Sequence, residues 1–122
     1  MTTATTIKIT FDEAVELLDR AVAEKGEDYI YPRSAGEAEC LYVEDGQPSC
    51  IVGHVLFWKG LTLERIESIE GMSAFALNDY DWLDLDEKAE ALLWKTQSRQ
   101  DSGVPWGRAV AEAKAETASA FG

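Results

Sequence analysis

The chain has 122 residues, 46% of them hydrophobic and including 4 Trp, which is enough for one domain with its own core and too apolar for a disordered segment. Acidic residues number 23 against 11 basic ones, giving a formal net charge of −12. A field of that sign repels phosphate backbones and anionic lipid, so it argues against direct nucleic-acid or membrane binding and suits either solubility alone or a basic protein partner. Met1 to Thr6 has neither the basic start nor the apolar run of a secretory signal, and no stretch approaches a bilayer span. The expected compartment is the cytoplasm, where two cysteines are expected as reduced thiols.

Ile7 and Ile9 alternate with polar neighbours, which predicts a short edge strand. Thr10-Phe11-Asp12-Glu13 matches a capping box, in which hydroxyl and carboxylate each satisfy a free backbone N–H. Phe11, Ala14, Val15, Leu18, Ala21 and Val22 then recur at helical spacing until Gly26. Tyr29, Ile30 and Tyr31 have strand propensity and stop at Pro32. Beyond a connector from Arg33 to Glu39, Cys40 to Val43 reads as a second strand, so the simplest pairing is an antiparallel ribbon, with Ile7 to Ile9 as a third member.

A tight turn through Glu44, Asp45 and Gly46 leads to the most apolar part of the chain. Pro48 and Ser49 mark a helix entry, with Ser49 as the cap, and Gly60 marks the exit. Between them Ile51, Val52, Val55, Leu56, Phe57 and Trp58 leave almost no polar face, which predicts a helix central to the core. Thr62 caps a short helix carrying Leu63, Ile66 and Ile69, ended by Gly71. Met72 to Leu83 shows no period and reads as an irregular surface segment. Asp84, with Glu87 three positions on, resembles the cap of a helix facing inward through Leu85, Ala89, Leu92, Leu93 and Thr96. Ser102 and Gly103 break it, and Pro105 opens a last helix with the stripe Trp106, Val110, Ala113, Thr117 and Phe121. The sum is a single domain over 1–122 of helix-dominated α+β class: about five helices around a small antiparallel two- or three-stranded sheet.

The strings DYIYPR, CLYVEDGQPSCIVGHVL and RQDSGVPWGRAV carry a further signal. Tyr29, Tyr31, Cys40, Tyr42, Val43, Gly46, Pro48, Ser49, Cys50, Gly53, His54, Gln100, Asp101, Gly103, Trp106 and Gly107 follow a pattern that resembles a group of small actinobacteriophage proteins with no assigned activity. The resemblance covers most of the chain. It implies a phage-encoded protein acting in the host cytoplasm, and it implies no chemistry.

Cys50 and His54 lie four apart on one helix face, with Cys40 on the strand before them. The three would make an incomplete zinc set, but neither C-x-x-C nor H-x-x-x-H spacing is present, and the plainer reading is buried thiols with a histidine bonded to a backbone carbonyl. The same Cys–His pair can act as thiolate and base, which requires a thiol that substrate can reach. Asp79, Asp81, Asp84 and Asp86 form the densest acidic cluster but lack the glycine of a calcium loop. No cofactor or metal site is therefore expected. With Tyr80 and Trp82 interleaved, Asp79, Tyr80, Asp81 and Trp82 combine aromatic anchors with negative charge, as interaction surfaces do, while the plainer reading has Trp82 plugging the core. No phosphate-cradling glycine loop or nucleophile elbow is present.

The leading expectation is a small acidic protein-interaction module that binds a host protein through Asp79, Tyr80, Asp81 and Trp82. Imitation of DNA is its sharper form, weakened by acids spread over both halves of the chain. The alternative is a small enzyme or a ligand- or metal-binding domain centred on Cys50 and His54. Self-association as a homodimer through an exposed tryptophan is the third class.

Overall fold

In the computed structural model, residues 7–31, 43–44, 46–68 and 83–121 are described. Strand β1, Ile7–Ile9, runs into helix α1, Phe11–Lys25. The junction is the capping box read from the sequence: the Glu13 N–H donates to Thr10 Oγ1 at 3.2 Å, and the Thr10 N–H donates to Glu13 Oε1 at 3.0 Å. Ala14, Leu18 and Ala21 are buried, with Phe11, Val15 and Val22 partly buried against the same core. Gly26 closes the helix at φ 101°, a conformation that favours glycine.

A hairpin of β2, Val43–Glu44, and β3, Gln47–Pro48, precedes helix α2, Ile51–Trp58. Every residue of α2 from Ile51 to Leu56 is buried, as its lack of a polar face requires. Its cap is Cys50 and not Ser49: Cys50 is extended at φ −76° and ψ 171°, and its sulfur accepts the Gly53 N–H at 3.4 Å. Ser49 is instead bonded to the Tyr31 hydroxyl at 2.7 Å. Helix α3, Leu63–Glu67, is capped by Thr62 and buries Ile66, while Ile69, Gly71 and the segment Met72 to Trp82 lie outside the described residues.

Strand β4, Leu83–Leu85, follows, then helix α4, Glu87–Asp101, and helix α5, Trp106–Phe121. The cap of α4 is Asp86, two residues later than Asp84, because Leu83 and Leu85 point into the core on either side of exposed Asp84 and form a strand. One carboxylate serves two helices. Asp86 Oδ1 accepts the Ala89 N–H at 2.7 Å, and Oδ2 accepts the Phe11 N–H of α1 at 3.0 Å.

The chain is thus helix-dominated α+β with five helices among the described residues and a small sheet. The antiparallel arrangement of that sheet is corrected. β1 pairs with β4 in parallel, Ile7 against Leu83 and Ile9 against Leu85, and among the described residues antiparallel pairing is confined to the β2–β3 hairpin around Gly46. Tyr29–Tyr31 takes no strand, because its backbone is committed elsewhere: the Tyr29 carbonyl accepts the Trp106 N–H at 2.8 Å and the Tyr29 N–H donates to Gly26. Cys40 to Tyr42 lie outside the described residues. Helix α2 packs against α1 and α4, and α5 lies along α4 and α1, so that Trp106, Leu18, Ile51, Leu56, Leu92 and Leu93 share one core.

Candidate functional site

The N-terminus of α2 is enclosed, and the sequence of α4 explains how it is satisfied. Gln97 and Gln100 lie three apart on the buried side of α4. Gln100 Oε1 accepts the Ile51 N–H at 2.9 Å, and Gln97 Nε2 donates to Cys50 Sγ at 3.4 Å. One amide side chain of α4, that of Gln100, therefore caps the start of α2 at a buried helix end, and a second, that of Gln97, donates to the sulfur of the cap residue. Reading apolar periodicity alone passes over this pair. The available signal was polar Thr96, Gln97 and Gln100 continuing the inward face set by Leu92 and Leu93.

His54 and Cys50 share that helix end but are not acid and base to each other. The Nδ1 of His54 lies 2.8 Å from the Cys50 carbonyl oxygen, which can only accept, so Nδ1 carries a proton and the neutral form of this ring is the Nδ1–H tautomer. The Cys50 sulfur accepts N–H groups from Gly53 and Gln97, and the residue has no exposed surface. A nucleophile needs access, which this thiol lacks, and the Nδ1 of His54 is turned to the Cys50 carbonyl. Burial pushes the imidazole pKa below the ordinary 6.5, helped by the Lys25 charge and opposed by the bond to the Cys50 carbonyl and by Glu24.

Aromatic rings surround the histidine. Trp58 lies 5.3 Å and Trp106 5.6 Å from it between ring centroids, and Tyr29 meets Trp106 edge-on at 4.8 Å. Arg20 of α1 stacks over Trp58 at 4.1 Å. Tyr29, Tyr31, Ser49, Cys50, His54, Gln100 and Trp106, read separately in three distant strings of the sequence, are thus linked in one neighbourhood.

Among the described residues no three His, Cys, Asp or Glu side chains converge as a metal set, and Cys40, the third member of the zinc reading, lies outside them. Asp79, Tyr80, Asp81 and Trp82 also lie outside the described residues. Of the other two acids in that cluster, Asp84 is exposed on β4 and Asp86 is the double cap.

Electrostatics distinguish the surface from this closed interior. Lys59 pairs with Glu13 at 2.6 Å, Lys114 with Asp19 at 3.2 Å, and Arg108 with Glu112 at 2.8 Å, while Arg99 bridges Glu112 and Glu116. The Arg108 and Arg99 guanidiniums hold the Glu112 carboxyl below its ordinary range. Arg20, Lys25, Lys88 and Lys95 lie over aromatic rings. Most cations are therefore engaged within the chain, and the excess acids, including Asp12, Glu16, Glu27, Asp28, Glu64 and Glu87, face solvent. No described helix is long and apolar enough to cross a membrane. Comparison with protein-family models, curated proteins and solved structures gives no match.

Proposed function

We propose that this chain is a small acidic protein-interaction module, phage-encoded, which modulates a host protein in the host cytoplasm by covering a basic surface. The observation that carries the reading is the imbalance of the surface: with a net charge of −12, the basic side chains are largely engaged by the protein's own carboxylates and rings, which leaves a negative exterior. Such a field steers a basic partner and rejects acidic ones. Asp79, Tyr80, Asp81 and Trp82 are the proposed contact, since an aromatic pair among acids supplies both burial and charge. The enzyme reading at Cys50 and His54 draws less support, because both groups are bonded internally and the thiol is closed to solvent.

The test is affinity capture from an actinobacterial lysate at low and high salt, using wild type and the combined variant Asp79→Asn, Asp81→Asn, Trp82→Ala. One host protein recovered near stoichiometry by wild type, and lost both at high salt and with the variant, supports the proposal. Recovery of nothing above background by wild type overturns it.

A further inference from the structure

The single histidine of the chain stands where three parts of the fold meet, α2, the start of α5 and the turn after α1. His54 extends from α2 between Trp58, one turn further on, and Trp106, the first residue of α5. Trp106 in turn meets Tyr29, and two backbone bonds fasten this corner: the Trp106 N–H donates to the Tyr29 carbonyl at 2.8 Å and the Gly107 N–H to the Glu27 carbonyl at 3.0 Å. The start of α5 is therefore capped by the turn after α1, and His54 packs behind the cap. Trp106 is fully buried and its indole Nε1 has no hydrogen-bond partner among the described residues, so the corner is held mainly by ring packing and those two bonds.

We propose that His54 is a proton-operated latch: the neutral imidazole closes the aromatic corner between α2, α5 and the Glu27–Tyr29 turn, and a second proton on the ring opens it and releases the start of α5. The geometry supplies the reason. Nδ1–H is already committed to the Cys50 carbonyl, so a further proton goes to Nε2 and places a full charge on a side chain only 6% exposed.

The surroundings offer that charge little. Helix α1 presents the Arg20 guanidinium over Trp58 and the Lys25 ammonium, both repulsive, with exposed Glu24 as the opposing charge. The rest of α2 provides Lys59, already paired with Glu13, and α4 provides neutral Gln97. On α5 the first ionisable side chain is Arg108, exposed and bonded to Glu112, and the turn carries Glu27 and Asp28, both exposed. An imidazolium can be stabilised by an aromatic face, but the Trp58 ring already carries Arg20. Relief requires water at Nε2, and the ring that must withdraw to admit it is a Trp on one side or the other.

The sign of the pH dependence follows. Burial keeps the folded-state pKa below 6.5, so the unfolded chain binds the proton more readily than the folded one. The histidine's own contribution to stability is therefore full above about pH 6.5, falls as pH drops toward the folded midpoint, and is constant below it.

Because there is one histidine, its imidazole resonances can be followed by NMR in the intact chain without ambiguity, alongside the Trp106 indole assigned with Trp106→Phe. The expected result, between about pH 8 and 4.5, is a His54 midpoint below 6.5 with the Trp106 indole shifting at the same midpoint. For each pH unit by which the folded His54 midpoint lies below the unfolded value of about 6.5, acidification should lower the thermal midpoint of wild type by about 5 °C, and His54→Gln should lose that part of the fall. A His54 midpoint at or above 6.5, or an indole that does not follow it, overturns the latch. The wild-type titration decides the matter even if the variant does not fold.

Discussion

Replacing Gly107 with alanine should destabilise the protein, although alanine is the better helix former. At an exposed interior position of a helix the exchange gains about 1 kcal/mol. At Gly107 a Cβ would lie 2.9 Å from Glu27 Cβ and 3.0 Å from both the Cα and the carbonyl oxygen of Glu27. Two of those atoms are main chain, and the turn they belong to is tied to α5 through the Gly107 and Trp106 N–H bonds and to itself through the Tyr29 N–H. Relief by moving the turn lengthens bonds worth about 1 kcal/mol each, and overpacking of this kind costs about 1–3 kcal/mol. The net expectation is a loss of about 2 kcal/mol. An unfolding entropy of about 2.1 cal/mol/K per residue over 122 residues converts that to a thermal midpoint lower by about 8 °C. The assay is thermal unfolding by circular dichroism, with Ala111→Gly on the exposed side of the same helix as a control, expected to lose about 4 °C from propensity alone. A Gly107→Ala midpoint above wild type would mean that propensity governs the site, and the close approach of α5 to the turn would be refuted.

Three further outcomes follow from single side chains. Asp86→Ala removes a cap from α4 and a second acceptor from α1 at once, so urea unfolding should show a loss of about 2 kcal/mol, and a loss under about 0.5 would deny the shared cap. Gln100→Ala strips the acceptor from the buried Ile51 N–H and should lower unfolding free energy by about 1–3 kcal/mol. In a Cys40→Ser background, the Cys50 thiol should stay unreactive toward a disulfide reagent in the folded protein and react promptly in denaturant, whereas rapid labelling without denaturant would reopen the nucleophile reading.

Local features of the sequence were legible because their partners are local. The Thr10–Glu13 box closes within three residues, and the apolar run after Cys50 leaves α2 no surface to expose. The errors arise where a distant partner decides. Asp84 was read as the cap of α4, and the cap falls instead on Asp86 because Leu83 to Leu85 pair with the distant Ile7 to Ile9. Ser49 was read as the cap of α2 from its side chain, but the Tyr31 hydroxyl draws Ser49 away while Cys50 takes the cap and Gln97 supports its sulfur. Tyr29 to Tyr31 had the composition of a strand, yet the Tyr29 carbonyl is taken by the start of α5. The candidate site was legible in its chemistry but not in its closure. Spacing placed Cys50 and His54 on one face, and the bonds of His54 to the Cys50 carbonyl and of Gly53 to the Cys50 sulfur close within four residues, as the plainer reading expected, whereas the Gln97 and Gln100 contacts depend on how α2 meets α4.

The parallel pairing of β1 with β4 also orders events during synthesis. A chain leaves the ribosome amino end first, so Ile7 to Ile9 and the first turn of α1 emerge long before Leu83 to Leu85 and the Asp86 carboxylate that complete them. Closure of so wide a loop is unfavourable until the intervening helices have drawn the ends together. Strand β1 therefore gains its partner only after α1, α2 and α3 have left the ribosome.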